Sequence, residues 1–282
     1  MAVSTTTAPE LTAEQVQKIL VQPLAEQSIF LASGPRIFDT NGSAVRIPKM
    51  GGPITPAWHG QNEQITEADP TFDEVLLLPD TMKSVKVITR FSNELARQSI
   101  VALDSALQDR LVTDVASTLD AAFFGSTGDG ISTPQGMLAW AGTQELAVTS
   151  ALDLDILLDA WGKALEANVN LSTLQWFMRP TDFTALRKVK DLNEQYLLQP
   201  DPTADGVFRL WGSKVNITTR IAAGNVVLAD MAQVAVARDL APSVKLLTER
   251  YADYDQQALR VVARYDAKPL NAEAIVKITG LV

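Results

Sequence analysis

The chain has 282 residues, of which 46% are hydrophobic and 20% are charged, a composition typical of an ordered globular protein. Its 24 basic and 33 acidic residues give a net charge of -9, and no stretch concentrates lysine or arginine, which disfavours nucleic-acid binding through phosphate neutralisation. Cysteine is absent, which excludes disulfides and thiolate metal sites, and neither a signal peptide nor an apolar run of about 18 residues is present, so no membrane partner is expected.

The first predicted helix spans residues 13–22. Thr12 and Gln15 form a capping box at its start, and Pro23 ends it because the proline ring clashes with the preceding turn. Residues 34–62 are rich in Gly, Pro and Asn, which indicates an extended segment. Alternation over 85–91 predicts a half-exposed strand, and we expect 44–91 to form a long two-stranded loop.

A long helix is predicted between Ser92, its N-terminal cap, and Gly125. This segment has neither Gly nor Pro inside it, and its apolar residues recur every three or four positions. About 32 residues at 1.5 Å each make a rod of about 48 Å, which would serve as a spine. The polar residues Glu94, Gln98, Asp109, Asp114 and Asp120 lie largely off the apolar stripe.

The stretch FFGSTGDGISTPQGML follows at residues 123–138. Its glycines come after a helix, at the negative end of the helix dipole, and the stretch has no lysine, so phosphate binding is disfavoured. We expect a turn that ends the helix and carries the chain into the next lobe.

A mixed α/β lobe is predicted over residues 131–247. Helices are expected at 151–168, capped by Ser150 with Leu154, Leu158, Trp161 and Leu165 facing inward, and from Pro180 to about Lys190. Strands are expected at 174–178, 215–218, 225–228, 233–237 and 243–247, and alternation returns near 259–265 and 275–278. Four tryptophans at 140, 161, 176 and 211 are expected in the core. Because strands lie at both ends of the chain, we expect neighbouring subunits to complete the fold.

The sequence offers few candidates for catalysis. His59 is the only histidine, so a catalytic triad or zinc site lacks partners. Carboxylates cluster at Glu63/Glu67/Asp69, at Asp153/Asp155/Asp159 and at Asp253/Asp255, but solvated surface acids are the better interpretation. We therefore predict no catalytic, cofactor-binding or metal-binding residues, no cofactor and no enzyme activity. A carboxylate-dependent soluble hydrolase using 153–159 stays as an alternative.

The order of several motifs resembles the major capsid proteins of tailed bacteriophages with the Hong Kong 97-type fold. A Trp-plus-acid segment (Trp58, Glu63) precedes Pro70–Phe72, and a strand then leads to a Ser-x-Glu-Leu helix start at Ser92. A long helix closes at a Gly-rich loop containing Pro134 and Gly136. Further matching segments lie at 174–198, 210–218, 226–239 and 254–278, so the resemblance covers about residues 44–280. Two family turns depart from the pattern, at Ala229-Asp230 and Asp266-Ala267.

This resemblance implies an α+β fold in four parts. These are an N-terminal arm (1–43), an extended β loop (44–91), a peripheral domain with the spine helix (92–130 and 248–282) and a mixed α/β axial domain (131–247). It implies a structural protein that assembles in the bacterial host cytoplasm into hexamers and pentamers of an icosahedral virion capsid enclosing double-stranded DNA.

The resemblance also implies partners for this subunit. A start at Met1 with a short arm implies a separate scaffolding protein, and a portal and a decoration protein are further expected partners. Some family members cross-link through a Lys, an Asn and a Glu; Lys49, Lys83, Asn271 and Glu273 are present here, but their flanking residues do not match. An encapsulin-type nanocompartment shell protein is the alternative within the same fold.

Overall fold

The computed structural model describes residues 28–52, 69–78, 83–93, 103–190, 208–239 and 243–281, together with 56, 58–62, 64, 67 and 196. The helices in these ranges are α1 (Ile29–Ala32), α2 (Leu103–Phe123), α3 (Leu154–Glu166) and α4 (Pro180–Arg187). The strands are β1 (Arg36–Thr40), β2 (Val45–Met50), β3 (Phe72–Leu77), β4 (Ser84–Ser92), β5 (Gln144–Ala147), β6 (Leu174–Met178), β7 (Phe208–Leu210), β8 (Ser213–Ile217), β9 (Asn225–Asp230), β10 (Val234–Asp239), β11 (Ser243–Leu247), β12 (Gln256–Pro269) and β13 (Ile275–Thr279). The predicted helix at 13–22 lies outside the described residues.

The first sheet joins strands from both ends of the chain. β12 is 14 residues long and pairs antiparallel with β10, β11 and β4, and β1 pairs parallel with β10. Leu259, Val261 and Ala263 on β12 are buried and pack with α2 in one hydrophobic core. β12 is long enough to hold these strands within one subunit, so this sheet joins both ends of the chain. The expectation that neighbouring subunits complete the fold stays a prediction. β12 also continues through Asp266-Ala267, one of the two positions where the sequence departs from the family's turn pattern.

The second sheet has the order β5-β13-β9-β6-β8-β7 and lies in the part predicted as a mixed α/β lobe. Helices α3 and α4 contribute Leu157 and Leu186 to the core of this lobe, around the fully buried Trp176. Strand β6 has the predicted bounds 174–178, and β8, β9, β10, β11 and β13 overlap their predicted positions within two residues at each end.

Helix α3 starts later and faces differently than its sequence pattern predicted. Asp153, and not Ser150, caps it by accepting a hydrogen bond from the Leu154 N–H. The helix buries Leu157, Ala160 and Ala164, whereas Leu158 and Leu165, which were predicted to face inward, are 48% and 40% exposed on a neighbouring face. Among the tryptophans, Trp211 also departs from the prediction, because it lies in the β7–β8 turn and is 44% exposed.

The two-stranded ribbon is shorter than the predicted 44–91 loop. β2 and β3 pair antiparallel from Val45–Leu77 at the base to Met50–Phe72 at the outer end. The strand predicted over 85–91 is present as β4, but it pairs with β12 in the body of the protein. Long-range pairing of this kind cannot be read from local alternation, because the alternation defines a face and not a partner.

Residues just before β1 are anchored to the spine helix α2. Phe30 is fully buried, with its ring centroid 4.7 Å from that of Phe123. The Asp120 carboxylate accepts hydrogen bonds from Ser28 Oγ at 2.5 Å and from the Ile29 N–H at 2.9 Å. Asp120 is therefore buried, although the helical pattern placed it off the apolar stripe, because it satisfies the free N–H groups at the start of α1.

The spine helix ends where the sequence predicted. α2 closes at Phe123, and the Gly125 N–H bonds back to the Ala122 carbonyl. Its predicted start is not confirmed at Ser92, which is the last residue of β4; residues 94–102 lie outside the described part of the chain. None of the helices in the described ranges has the length and apolar character that a membrane span requires.

Candidate assembly surface

The outer end of the β2–β3 ribbon exposes large apolar side chains. Met50 and Phe72 are directly paired across the two strands and are 55% and 75% exposed. Exposure falls toward the base, where Leu77 is fully buried against the body. Exposed apolar groups at the end of a projecting ribbon are typical of a protein contact. The sequence predicted a two-stranded loop in this region but neither the bounds of β2 and β3 nor this exposure, which arises because no described residue covers the two side chains.

The segment that connects β2 to β3 contains the only histidine of the chain and the first of its carboxylate clusters. Trp58 is fully exposed, and His59 next to it is half-buried. Glu67 and Asp69 are exposed, and Glu63 lies outside the described residues. The structure does not bring these side chains together with another histidine, since the chain has none.

The glycine-rich loop at 125–136 is folded tightly against the end of α2. A Cβ added at Gly136 would lie 2.1 Å from the Gly125 carbonyl oxygen, and one at Gly128 would lie 1.9 Å from the Pro134 carbonyl oxygen. Both positions therefore require glycine because two backbone segments touch there. This loop confirms the predicted turn after the spine helix.

Asp129 organises the outer part of the same loop. Its carboxylate accepts hydrogen bonds from the backbone N–H groups of Ile131, Ser132 and Thr133. It also accepts hydrogen bonds from the side-chain hydroxyls of Ser132 and Thr133. The Ser132 hydroxyl, and then the backbone N–H groups, hold the pKa of Asp129 far below its usual range. The loop thereby presents Ile131, which is 67% exposed, at a fixed position on the surface.

Lys83 and Asp266 form a buried ion pair where the base of the ribbon meets β12. Their side chains are 1% and 0% exposed, with Nζ 2.7 Å from Oδ1. Asp266 also accepts hydrogen bonds from the N–H groups of Leu78 and Ala267. Lys83 is one of the two lysines present for the cross-link that some family members form. Because its side chain is buried, it cannot react at the surface of the subunit.

The remaining cross-linking candidates lie apart in the fold. Lys49 is exposed near the outer end of β2. Asn271 accepts the Glu273 N–H with its side-chain oxygen and so caps the short turn before β13. This cap gives Asn271 a structural role, and the structure shows no contact between it and Lys49.

The other carboxylate clusters do not form a cleft. Asp153 caps α3, while Asp155 and Asp159 are exposed on the outer side of that helix. Asp255 accepts a hydrogen bond from Asn93 Nδ2 at the end of β4, and Asp253 is exposed. Within the described ranges, no group of three or more His, Asp or Glu side chains is arranged to hold a metal ion.

Comparison with known proteins identifies the family. The profile of the phage capsid family matches residues 10–280, which is almost the whole chain. The chain belongs to the phage capsid family. The sequence resemblance to the major capsid proteins of tailed phages is therefore confirmed, and this capsid protein is a structural component of a phage-type capsid.

Individual relatives agree with the family match. The major capsid protein of Klebsiella oxytoca phage phiKO2 is 24% identical over 310 aligned residues, which cover 100% of this chain and 71% of the relative. The capsid of a native GTA particle superposes with a TM-score of 0.74 at 19% identity, covering 90% of this chain and 91% of that one. A chain of Microbacterium phage Oxtober96 gives a TM-score of 0.74 at 15% identity, covering 89% and 90%. The mixed α+β architecture of this capsid protein thus matches solved phage capsid folds.

Proposed function

We propose that this capsid protein is the shell subunit of an icosahedral phage head, in which it forms hexamers and pentamers that enclose double-stranded DNA. Ring-shaped and closed assemblies need contacts between different surfaces of identical copies. The proposed division is an arm (1–43), an extended loop (44–91), a peripheral domain (92–130 and 248–282) and an axial domain (131–247). Within the proposed arm, residues 28–40 pack on the body. Within the proposed loop, β4 pairs with β12, so the β2–β3 ribbon is the part of the loop that is available to a neighbour.

The observation that carries this proposal is the apolar pair at the end of the ribbon. Met50 and Phe72 have no cover from the described part of their own chain, although their ribbon is attached firmly at its base through Leu77 and the Lys83–Asp266 pair. A firmly held ribbon with an apolar end is suited to dock on a second subunit. One such contact is weak, but a closed lattice repeats it in every subunit.

The proposal includes no enzyme activity and no cofactor. The subunit would assemble in the host cytoplasm with a separate scaffolding protein, and would meet a portal and a decoration protein in the virion. The acidic balance of the chain, with a net charge of -9, suits a wall that encloses DNA without binding it tightly.

Replacement of both Met50 and Phe72 by serine is expected to abolish shell formation while leaving the subunit folded. Both side chains are mostly exposed in the subunit, so the change in unfolding free energy should stay within about 0.5 kcal/mol for each substitution. In the assembly the same change leaves two polar groups in an apolar contact. Sedimentation of the expressed protein measures shell yield, and circular dichroism measures folding.

Ile131→Ser is the matched control, because Ile131 is also exposed (67%) but lies on the glycine-rich loop. It should leave shell yield close to that of the wild type. Normal shells from the Met50→Ser/Phe72→Ser variant would contradict the assigned role of the ribbon.

A further inference from the structure

Helix α3 carries a second apolar stripe on its outer side. Leu158 and Leu165 are 48% and 40% exposed, and Leu154 and Trp161 beside them are half-buried. These four positions are spaced by four, three and four residues, so they follow one side of the helix. We call them the outer stripe, to distinguish them from the buried face of the same helix.

A glycine lies between the two exposed leucines. Gly162 comes four residues after Leu158 and three before Leu165, so the three positions are neighbours on the helix surface. Glycine is unfavourable inside a helix, and a positive φ does not explain it here. Close packing within the subunit does not explain it either, because in the described part of the chain no atom lies within 4 Å of a Cβ built at Gly162. The glycine therefore leaves an unfilled notch beside the outer stripe.

Carboxylates border the other side of this notch. Asp155, Asp159 and Glu166 are exposed, and they form no ion pair among the described residues. Lys163 is the one basic residue of α3, and its Nζ is turned toward β5, where it donates to the Glu145 carbonyl oxygen at 2.9 Å. The outer side of α3 thus combines an apolar stripe, a notch and an acidic edge.

These three features fit a helix that packs across α3. Helices pack with their axes about 8–10 Å apart, and the shorter distance requires a small residue where they cross. Gly162 is such a residue, and Leu158 and Leu165 would then contact the crossing helix on either side of it. A strand or loop would instead place unpaired backbone N–H and C=O groups against the leucines, which costs free energy.

The charges decide which helix fits. In a symmetric contact with α3 of a second copy, the acidic edges of the two copies would approach each other and repel. The described helices of this chain contain three basic residues in all, Arg110, Lys163 and Arg187, so none of them presents a basic edge. The same acidic edge repels nucleic acid. A partner helix with cations beside an apolar stripe complements both the carboxylates and the leucines.

We propose that the outer side of α3 binds a basic amphipathic helix of a different protein, which crosses α3 at Gly162. This inference goes beyond the proposed function and does not depend on it, because the whole site lies on one subunit. Its test therefore uses the full-length subunit, and shell formation is measured separately.

Binding of a synthetic helix tests this surface. The probe is a fluorescein-labelled peptide of about 18 leucine and lysine residues, with leucine at every third or fourth position so that one apolar stripe forms. Fluorescence anisotropy at roughly 0.1 M salt measures the dissociation constant. A peptide of the same composition in shuffled order keeps the charge but loses the stripe, and it is expected to bind at least about tenfold more weakly.

Removal of the outer stripe is expected to weaken binding of the probe. Leu158→Ser/Leu165→Ser should raise the dissociation constant at least about tenfold, because the apolar contact is lost. Both side chains are substantially exposed in the subunit, so circular dichroism should show that the variant is folded.

Reversal of the acidic edge is expected to have a similar effect. Asp155→Lys/Asp159→Lys should also weaken binding of the basic probe at least about tenfold. Glu249→Lys/Asp253→Lys makes the same change of net charge at exposed positions before β12 and serves as the matched control. It should alter the dissociation constant by less than about twofold, because distant surface charges are screened by salt.

Gly162→Leu tests the crossing point with a readout that a purely structural role would not change. Leucine is a better helix former than glycine, and the position has free space, so the urea midpoint should not fall below that of the wild type. The new side chain enlarges the apolar surface but fills the notch, so binding of the probe is expected to weaken at least about tenfold.

Several results would overturn the inference. Binding by Gly162→Leu that equals or exceeds that of the wild type would show that no helix approaches the notch. Equal binding of the ordered and shuffled peptides would show that net charge alone attracts the probe. If Leu158→Ser/Leu165→Ser abolishes self-association in sedimentation while the wild type binds no probe, the surface belongs to a contact between copies. Normal shells without probe binding would reject this inference and leave the proposed function standing.

Discussion

Replacing Lys83 by alanine is expected to lower the free energy of unfolding by about 3–5 kcal/mol, the range for removing one partner of a buried ion pair. The loss is large because Asp266 would keep its buried charge with only the N–H groups of Leu78 and Ala267 as donors. Urea denaturation of the unassembled subunit measures the change.

Lys49→Ala is the matched control for this prediction. Lys49 lies on the exposed part of the same ribbon, so the change in unfolding free energy should stay within about 0.5 kcal/mol. A loss below about 1 kcal/mol for Lys83→Ala would show that Asp266 is solvated, and the buried pair would then not anchor the ribbon.

Asp120→Ala is expected to cost about 2–4 kcal/mol of unfolding free energy, because a buried group left without its partner costs about 1–3 kcal/mol. The variant leaves the Ser28 hydroxyl and the Ile29 N–H without their acceptor. Asp120→Asn keeps an acceptor oxygen, so it should cost less than the alanine variant. Equal losses for the two variants would contradict the role of Asp120 as acceptor for the start of α1.

The pH dependence provides a second test of Asp120. Burial raises the pKa of this carboxyl above its ordinary value of 3.8, against the opposing effect of its hydrogen bonds. The folded state therefore holds the proton more tightly than the unfolded state, and this stabilisation is complete below the ordinary pKa and is lost as pH rises through the raised pKa.

We therefore expect the wild type to gain stability relative to Asp120→Asn as pH falls from neutral toward about 4, with a slope of at most about 1.4 kcal/mol per pH unit. The unfolding free energies of the wild type and of Asp120→Asn are both measured in urea at each pH. Subtracting one from the other removes the contribution of the other carboxyls, which titrate in both proteins. A difference that stays constant over this range would contradict the raised pKa.

Sequence reasoning found the elements whose signal is local. The spine helix ended as predicted because its apolar stripe runs into the glycine-rich loop. Strand β6 has its predicted bounds because Leu174–Met178 is a short, mostly apolar run between polar turns. The loop at 125–136 was also predicted as a turn, since its glycines follow the helix. The order of these motifs, more than any one of them, identified the capsid family.

Features that depend on partners distant in sequence escaped prediction. β4 pairs with β12 more than 160 residues later, and Asp120 is buried by a segment about 90 residues earlier. The charges on the first sheet illustrate the same limit, because Lys86, Lys245 and Arg260 come from three separate strands and form no run in the sequence. Only the register of the sheet reveals that these charges share one side.

Electron microscopy of the expressed protein, combined with sedimentation, tests the central claim most directly. The protein would be examined alone and together with a candidate scaffolding protein. The proposed function predicts closed icosahedral shells, or rings of five and six subunits, and native heads containing double-stranded DNA; shells filled with a cargo protein would instead indicate a nanocompartment. A small uniform oligomer under every condition, with the scaffolding protein included, would contradict the account.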